Sequence, residues 1–361
     1  MAPNSKLNAK RKAQREATKA PKPRPERRSG EEEKSEAKAL LIPIELQQLL
    51  LNIFRNSFAE RLSIDFGPLL QEVKGHLFNR DFAAAFGKEE YLEMYAARWS
   101  PSRALGYLDL FWDLRRELGF DLEETIPDAD GSDHVKSRKV VCLGGGAGAE
   151  IVALGGLQKL LVSKMVERKE GEDEKAMNAG KMEVTAIDIA DWNVVVDNLA
   201  KHLTTAPTLS KYASAAAKAA NDVLKASASE MTSQLADANL VTMLFTLNEL
   251  YSTSLPLTQK FLLQLTSVMK PGSLLLVVDS PGSYSTVTLN GAEKKYPMQW
   301  LLDHTLLDQA SSNKHERGKD EIASWEKVKE DDSRWFRLDD RLSYPIELEN
   351  MRMQMHLYRR L

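Results

Sequence analysis

The stretch VVCLGGGAGAE, residues 140–150, says more about this protein than any other part of its sequence. Its first four residues are apolar and predict a buried β-strand, which runs into a turn where Gly144, Gly146 and Gly148 form a G-x-G-x-G pattern. Glycine allows a positive φ and a close approach of the backbone to a ligand. A helix predicted from Gly148 to Leu161 would direct its first N–H groups towards whatever lies above the turn. This succession of strand, turn and helix is typical of a nucleotide-like cofactor site in an open α/β sheet.

Strands and helices alternate on the C-terminal side of this turn. After the strand Val140–Leu143, further strands are predicted at Val184–Ile187, Leu240–Thr246, Ser273–Asp279 and, at the end, Leu348–Leu361. Helices are predicted at Trp192–Leu203, Leu257–Met269 and Trp300–Gln309. Three segments have no strand pattern: a charged, exposed insertion at 165–182, an Ala- and Ser-rich helical region at 211–236 and a charged, loose segment at 312–333. The alternation predicts an α/β fold with a parallel sheet and helices on both faces.

The N-terminal third is organised differently. Residues 38–120 have apolar side chains at helical spacing, which predicts an all-helical segment, and a polar connection follows at 127–139. Residues 1–28 contain ten Lys or Arg and two Glu, a composition that cannot form a core and predicts disorder. We therefore expect a disordered basic tail over 1–37, a helical substrate-side segment over 38–135 and a cofactor-binding domain over 136–361.

Composition excludes several classes of protein. The chain has 361 residues, 43% of them hydrophobic, a formal net charge of −3 and one cysteine, Cys142. A single cysteine excludes a disulfide framework and a cysteine-based metal site, and the six histidines have no metal-ligand spacing, so we expect no metal. No apolar run approaches the roughly 20 residues that span a bilayer, so we expect no membrane association and an intracellular protein. The basic tail has two interpretations, nuclear or nucleolar targeting with RNA contact, or a solvated tail without a partner.

The glycine turn alone leaves the cofactor open. It also satisfies the dinucleotide pattern G-x-G-x-x-G/A, which keeps a nicotinamide cofactor as an alternative. Asp188, at the end of the next strand, is a candidate to accept both ribose hydroxyls, with a helix N-cap as the other interpretation. It follows Gly148 by 40 residues rather than the usual roughly 20, and the insertion at 165–182 accounts for most of the difference. Trp192 is a candidate to stack on an adenine, or a residue of the core.

The end of the strand at Leu240–Thr246 favours a methyltransferase. Asn248-Glu249-Leu250-Tyr251 places polar and aromatic side chains where this class holds the methyl group and its acceptor. A short-chain hydride-transfer enzyme would need a Tyr-x-x-x-Lys pair, but Leu255 stands four residues after Tyr251. A Pro-Gly turn at 271–272 before a strand that ends in Asp279 also fits the methyltransferase plan.

Several motifs together resemble the fungal large-subunit (25S) rRNA uridine-N3 methyltransferases. They are RWSPSRALGY (98–107), VCLGGGAGAE (141–150), NLVTMLFTLNELYSTS (239–254), LLLVVDSPGSYSTV (274–287) and YPMQWLLDH (296–304). The resemblance covers roughly residues 40–361. It implies a seven-stranded, Rossmann-like class I sheet, S-adenosylmethionine as cofactor and methylation of N3 of a uridine in large-subunit rRNA. The substrate is then naked rRNA or a pre-ribosomal particle, and the sequence leaves this choice open. We expect a role in ribosome biogenesis in the nucleus or nucleolus, with the cytoplasm as the other location, and a monomer by default.

Two features depart from the usual methyltransferase pattern. Cys142 stands two positions before the first glycine, where an acidic residue is usual. No third strand is evident between Tyr212 and Ala238, and Asp237 is the only acidic residue close to the strand that follows. These departures keep a second alternative open, a non-catalytic methyltransferase-fold protein that acts as a ribosome-assembly factor.

The chemistry assigns roles to three sets of residues. Uridine N3 carries a proton and lies on the Watson–Crick edge, so the base must be unpaired and its proton removed or polarised. The expected catalytic residues are Asn248, as amide partner of the uracil edge or of the methionine group, Glu249, as general base, and Tyr251, as a stacking or hydroxyl partner. The expected cofactor-binding residues are Gly144, Gly145, Gly146, Gly148, Glu150, Asp188, Trp192 and Asn248. The expected substrate-binding residues are Arg98, Trp99, Arg103, Asp279 and Tyr284.

Overall fold

An all-helical segment precedes a mixed sheet in the computed structural model, which describes residues 42–63, 66–120, 125–127, 133–135, 137–168, 182–204, 228–289, 292–309 and 323–361. Residues Ile44–Leu361 form one unit. Its helices are α1 (Ile44–Ser57), α2 (Ala59–Ser63), α3 (Gly67–Phe78), α4 (Phe82–Ala85), α5 (Glu89–Asp113), α6 (Ala149–Arg168), α7 (Asn193–Thr204), α8 (Ala228–Asp237), α9 (Leu247–Thr253), α10 (Leu255–Val268), α11 (Met298–Asp303) and a π-helix at His304–Gln309. Its strands are β1 (Thr125–Pro127), β2 (Asp133–Val135), β3 (Arg138–Leu143), β4 (Met182–Ile187), β5 (Leu240–Leu244), β6 (Leu274–Asp279), β7 (Tyr284–Leu289), β8 (Ala292–Pro297), β9 (Trp325–Phe336) and β10 (Met351–Arg360).

The main sheet has the strand order β4-β3-β5-β6-β10-β9. The first four strands are parallel, with Val140 opposite both Val184 and Leu240. Strand β10 is antiparallel to β6 and to β9 and separates them, with Gln354 opposite Asp279. The four parallel strands therefore end at one edge of the sheet, which is where open α/β sheets place their ligands.

The strand count differs from the prediction of seven. The described part of the chain contributes six strands to this sheet. Helix α8 accounts for the end of the region predicted to be helical. Residues 205–227, which include most of the stretch searched for a third strand, lie outside the described residues, as do the basic tail and most of the 165–182 insertion. The seventh strand and the disorder of the tail therefore stay predictions.

Most predicted elements are confirmed with small shifts at their ends. The sheet is mixed rather than parallel as predicted, because β10 is antiparallel to both of its neighbours, and two local predictions are wrong. The segment predicted to be loose at 312–333 contains the first part of β9, a 12-residue strand. Its ends, Trp325 and Phe336, are buried, and charged side chains dominate between them because β9 is an edge strand. The polar connection contains the small β1–β2 pair, and a further hairpin, β7–β8, has no counterpart among the predicted elements. The helix predicted at Trp300–Gln309 is divided into α11 and the π-helix.

Helix α5 connects the helical segment to the sheet. It is 25 residues long and buried along most of its length, so it lies between other elements rather than on the surface. Arg334 of β9 donates to Asp109 and Asp113 of α5, at 2.5 and 2.6 Å. Ser100 Oγ, near the middle of α5, donates to the Ala147 carbonyl of the glycine turn at 2.8 Å. These contacts place the central turns of α5 above the edge where the parallel strands end.

Candidate functional site

A cavity of about 1070 Å³ opens at the carboxyl ends of the parallel strands. One side is formed by the glycine turn and the ends of β4, β5 and β6, and the other by α5 and the turn between α3 and α4. The cavity brings together ten residues predicted for the site: Trp99, Arg103, Gly144, Gly145, Glu150, Asp188, Trp192, Asn248, Glu249 and Asp279. Sequence positions as distant as 99 and 279 therefore meet in one place.

The turn after β3 needs its glycines for conformation and for space. Gly144 and Gly148 have φ values of +82° and +81°, in the left-handed region that favours glycine. A Cβ on Gly144 would collide with Thr246 Oγ1, and one on Gly146 would collide with Trp192 Cδ1. The Gly144 amide donates to the Ile187 carbonyl at 2.8 Å, which ties the turn to β4. The turn is thus a fixed backbone cradle at the start of α6.

Asp188 is positioned by the backbone on either side of it. Its Oδ2 accepts from the Gly146 amide at 2.9 Å and its Oδ1 from the Ile189 amide at 2.8 Å. Burial raises the pKa of this carboxyl, and these amide hydrogen bonds oppose the rise. A carboxylate oxygen has more than one lone pair, so both oxygens keep the capacity to accept from ligand hydroxyls.

An aromatic cluster adjoins Asp188. Trp192 contacts Phe86 and Tyr95, with ring centroids 5.3 and 5.8 Å apart, and Tyr95 contacts Trp99 at 4.9 Å. Phe86 and Tyr95 come from the helical segment, where no periodic pattern distinguishes them from core residues. Flat apolar surfaces beside a carboxylate suit a purine nucleoside, which has an aromatic base and vicinal hydroxyls.

Glu150 occupies the space beside Cys142. A Cβ on Gly145 would lie 2.6 Å from Glu150 Oε2 and 2.7 Å from Cys142 Cβ, so both side chains adjoin the same point of the turn. Thr242 Oγ1 donates to Glu150 Oε1 at 2.6 Å. Burial raises the pKa of Glu150 to about 8. An acidic group is therefore present next to Cys142, although it comes from the first turn of α6 rather than from β3.

The end of β5 contains a strained residue and an unsatisfied amide. Phe245 has a φ of +60°, which is uncommon for a residue with a side chain and is typical of functional sites. Asn248 Oδ1 is buried and has no hydrogen-bond partner among the described residues. Buried polar atoms are nearly always hydrogen-bonded, so this amide oxygen on the cavity wall is suited to a ligand donor.

Asp279, at the end of β6, fixes the helix that carries Asn248. Its Oδ2 accepts from the Asn248 amide at 2.9 Å and its Oδ1 from the Ser280 amide at 2.8 Å. Burial raises the pKa of Asp279 to about 6, and the nearby carboxylate of Glu249 contributes to the rise. The strand end thus holds a carboxyl that titrates near neutral pH at the N-terminus of α9.

Glu249 and Arg80 bridge the two sides of the cavity. Arg80 Nη1 donates to Glu249 Oε2 at 2.8 Å, and both side chains are exposed. Arg80 has a φ of +56° in the turn between α3 and α4. In the structure the predicted general base is therefore ion-paired, and its partner, Arg80, is not among the residues predicted for the site.

Arg103 lies over the strand end from α5. Its guanidinium donates to the Tyr95 hydroxyl at 2.6 Å and lies 5.4 Å from the Phe245 ring. The ring of Tyr107 stacks on Phe245, with centroids 6.4 Å apart. A cation and aromatic faces of this kind are suited to an unstacked base and its phosphate.

The structure does not bring five predicted residues to the lining of the cavity. Two of them, Gly146 and Gly148, belong to the glycine turn, and the other three are Tyr251, Arg98 and Tyr284. Tyr251 lies in the hydrophobic core, because it follows Leu247 by one helical turn and both form the buried face of α9. Arg98 is buried and paired with Glu349. Tyr284 is exposed at the start of β7.

Two findings concern other kinds of site. Within the described ranges, no group of three or more His, Cys, Asp or Glu side chains is arranged to hold a metal ion. Among the helices of those ranges, none has the length and apolar character needed to cross a membrane.

Comparisons with known proteins agree with this geometry. A family model described as SAM-dependent methyltransferase, Methyltransf_34, matches residues 54–359. The 25S rRNA (uridine(2843)-N(3))-methyltransferase of Saccharomyces cerevisiae is 34% identical over 330 residues, which cover 86% of this chain and 85% of that protein.

Solved structures are more distant. A SAM-dependent methyltransferase from Methanosarcina mazei is 12% identical, with 63% of this chain and 93% of that chain covered and a TM-score of 0.30. A class I methyltransferase from Listeria monocytogenes is 13% identical, with 88% of each chain covered and a TM-score of 0.31. At these TM-scores neither structure contributes to the assignment. The family model and the yeast relative, each matched over most of the chain, show that this protein belongs to the Methyltransf_34 family of SAM-dependent methyltransferases.

Proposed function

We propose that this protein transfers a methyl group from S-adenosylmethionine to N3 of a uridine in large-subunit rRNA. The observation that carries the proposal is the single cavity in which the glycine turn and Asp188 meet Asn248 and Asp279. The 34% identity to a yeast enzyme named for uridine-N3 methylation of 25S rRNA supports the choice of substrate. The contacts of the described residues at this cavity add no support to the nicotinamide-dependent or the non-catalytic alternative.

The residues at the glycine turn fit S-adenosylmethionine. The proposed ligands are the backbone of Gly144, Gly145, Gly146 and Gly148, together with Glu150, Asp188, Trp192 and Asn248. Asp188 is suited to the ribose hydroxyls, and the aromatic cluster around Trp192 to the adenine. When bound, S-adenosylmethionine supplies an electrophilic methyl group on a positively charged sulfonium. The carboxylate of Asp279, on the cavity wall, provides a negative charge suited to the sulfonium.

The residues at the ends of β5 and β6 fit the uracil edge. Asn248 Oδ1 lacks a partner among the described residues and is proposed to accept from the N3–H of the uridine. Glu249 stays the proposed general base. Arg80 contacts its Oε2, and Oε1 is the oxygen proposed to take the proton. Asp279, with a pKa of about 6, is a second proton acceptor on the same wall. Trp99 and Arg103 are proposed to contact the base and its phosphate, whereas Tyr251, Arg98 and Tyr284 would have to act from outside the cavity.

The biological setting is part of the proposal. The substrate is large-subunit rRNA, naked or in a pre-ribosomal particle, and the enzyme acts as a monomer in the nucleus or nucleolus. The basic tail is proposed to direct it there and to contact RNA. A seventh strand that completes the class I sheet is also proposed.

A labelling experiment tests the reaction. Purified protein is incubated with methyl-labelled S-adenosylmethionine and with large-subunit rRNA from cells that lack this gene, and the digested nucleosides are analysed by mass spectrometry. We expect label in N3-methyluridine. Labelled nucleosides of another kind, or RNA binding without any label, would contradict the proposal.

A matched pair of variants tests the cofactor site. Asp188→Asn leaves one carboxamide oxygen for two amide donors and the ribose, so we expect affinity for S-adenosylmethionine to fall roughly 10- to 100-fold. Asp191→Asn is the control, because Asp191 is exposed and accepts from the nearby Asn193 amide at 3.1 Å. Calorimetric titration measures the affinity of each variant for S-adenosylmethionine. Equal affinities for the two variants would remove Asp188 from the site.

A further inference from the structure

The three most exposed large apolar side chains in the described part of the chain all lie at one place. Phe78, Ile189 and Leu257 are 88, 78 and 67% exposed, and all three line the cavity. Scattered exposed apolar residues are ordinary, but their concentration at the mouth of a ligand cavity indicates a surface that is covered during function. The mouth therefore has an apolar rim.

Phe78 is the most exposed residue of this rim, and a turn with an unusual backbone conformation follows it. It is the last residue of α3, and the turn that follows contains Arg80 with its φ of +56°. A positive φ is unfavourable at a residue with a side chain, and it persists only where neighbouring contacts fix it. The ion pair of Arg80 with Glu249 supplies such a contact across the mouth. Phe78 is thus presented to solvent from a fixed turn.

A cation lies on the same helical face as Phe78. Lys74 precedes Phe78 by four residues in α3, a spacing that places two side chains on one face. Lys74 is exposed and has no ion-pair partner among the described residues. An apolar ring with a cation one helical turn away suits a nucleic acid strand, which offers stacked bases beside phosphates. This pairing favours RNA over a protein partner as the occupant of the rim.

We propose that Phe78 is a wedge that enters the base stack of the RNA when the target uridine leaves it, with Lys74 on the adjacent phosphate. The inference rests on the proposed function, because a reaction at N3 requires the Watson–Crick edge of the uridine to be freed from pairing. Apolar side chains inserted between base steps offset part of the stacking that disappears when a nucleotide is extruded. Phe78 is then a positioning residue, and it contributes most where the uridine is paired.

The test compares paired and unpaired substrates. The labelled rRNA is first cut into oligonucleotides, and their mass spectra locate the modified uridine. Two synthetic RNAs then carry that segment, one with the uridine in a hairpin stem and one as a single strand, each with 2-aminopurine next to the uridine. Methylation rates and the 2-aminopurine fluorescence are measured for the wild type, Phe78→Ala, Phe78→Tyr and a control, Leu263→Ala. Leu263 is an exposed leucine of α10 that does not line the cavity.

The wedge predicts a selective loss. Phe78→Ala should lower kcat/KM about tenfold on the stem and less than about twofold on the single strand, the size expected when one base no longer stacks on an aromatic ring. Phe78→Ala should also reduce the rise in 2-aminopurine fluorescence that reports unstacking. Phe78→Tyr should restore both kcat/KM on the stem and the fluorescence rise. Leu263→Ala should change neither of these readouts. The wedge would be overturned if Phe78→Ala lowered kcat/KM equally on both RNAs, as it would if Phe78 were a lid over the cofactor. It would also be overturned if kcat/KM fell on neither RNA. If the labelling experiment finds no N3-methyluridine, the proposed function fails. If it does find N3-methyluridine, a flat fluorescence signal for the wild type on the stem RNA overturns the wedge alone.

Discussion

Glu150 is the single residue whose environment differs most from what its sequence position suggests. A carboxylate in the first turn of a helix is ordinarily favoured by the helix dipole. Here the side chain is buried beside Cys142, so the neutral acid is favoured and the pKa rises to about 8. The hydrogen bond from Thr242 opposes this rise. The usual acidic residue of the strand is replaced by a cysteine, while an acid from α6 occupies the adjacent space.

The raised pKa of Glu150 has a defined effect on stability. Because the folded-state pKa, about 8, exceeds the ordinary value of 4.5, its contribution to stability is fully present below about pH 4.5. That contribution is lost as pH rises towards 8. Glu150→Gln resembles the neutral acid at every pH. The free energy of unfolding of the variant should therefore increase relative to that of the wild type by a few kcal/mol between about pH 5 and pH 8. Urea unfolding of both proteins without ligand measures this difference, and a difference that stays constant with pH would contradict it.

The residues that the sequence could assign to the site share a local signal. Asp188, Asn248 and Asp279 each follow an apolar run that ends at the ligand edge of a parallel sheet, and that rule needs no tertiary information. Phe86 and Arg80 could not be assigned, because they reach the cavity only through the packing of the helical segment. Tyr251 shows the limit of the rule, since the chain becomes helical after residue 246 and turns this side chain inward.

Among the elements, the packing of α6 against α1 and α5 fixes the cover of the cavity. Gly156 of α6 lies against Leu50 of α1 and Leu108 of α5, both fully buried. A Cβ at Gly156 would lie 2.9 Å from Leu50 Cδ1 and 3.4 Å from Leu108 Cδ2. The helices approach closely at this point because a hydrogen replaces a side chain.

Gly156→Ala should therefore be destabilising despite the better helix propensity of alanine. Overpacking of a dense core costs about 1–3 kcal/mol, which exceeds the propensity gain of up to about 1 kcal/mol. Gly75→Ala in α3 is the matched control, because a Cβ there meets nothing within 4 Å, and it should stabilise by about 0.5–1 kcal/mol. Urea unfolding distinguishes the two, and equal effects of both substitutions would show that α6 can shift freely.

Elements with periodic apolar patterns were predictable, and the edge of the sheet was not. Strands β5 and β6 are buried throughout and appear as continuous apolar runs in the sequence. Strand β9 pairs on one side only, so charged residues are tolerated along it and conceal the strand pattern. Its partner β10 is the terminal strand that alternation of Met351, Met353 and Met355 did indicate.

At the scale of the whole molecule, charge is divided unevenly along the chain. Residues 1–28 have a surplus of eight positive charges, while the complete chain has a net charge of −3. The remainder therefore has a net charge of −11. A body of that charge repels RNA at long range, so an RNA-modifying enzyme of this composition needs a cationic segment to gather its substrate.

Deletion of residues 1–28 should weaken RNA binding without changing cofactor binding or stability. RNA affinity should fall, and the slope of log K against log salt should become shallower by about 0.7 for each phosphate that the protein no longer neutralises. Affinity for S-adenosylmethionine and the Tm should stay unchanged, because the cavity and the core consist of residues from the sheet and the helical segment.

A full-length variant with the ten tail Lys and Arg replaced by Gln is the control for length, and it should behave like the deletion. Fluorescence anisotropy with labelled RNA at several salt concentrations measures the slope. An unchanged slope in both variants would place the RNA-binding charges on the body of the protein, at cations such as Lys74 and Arg103.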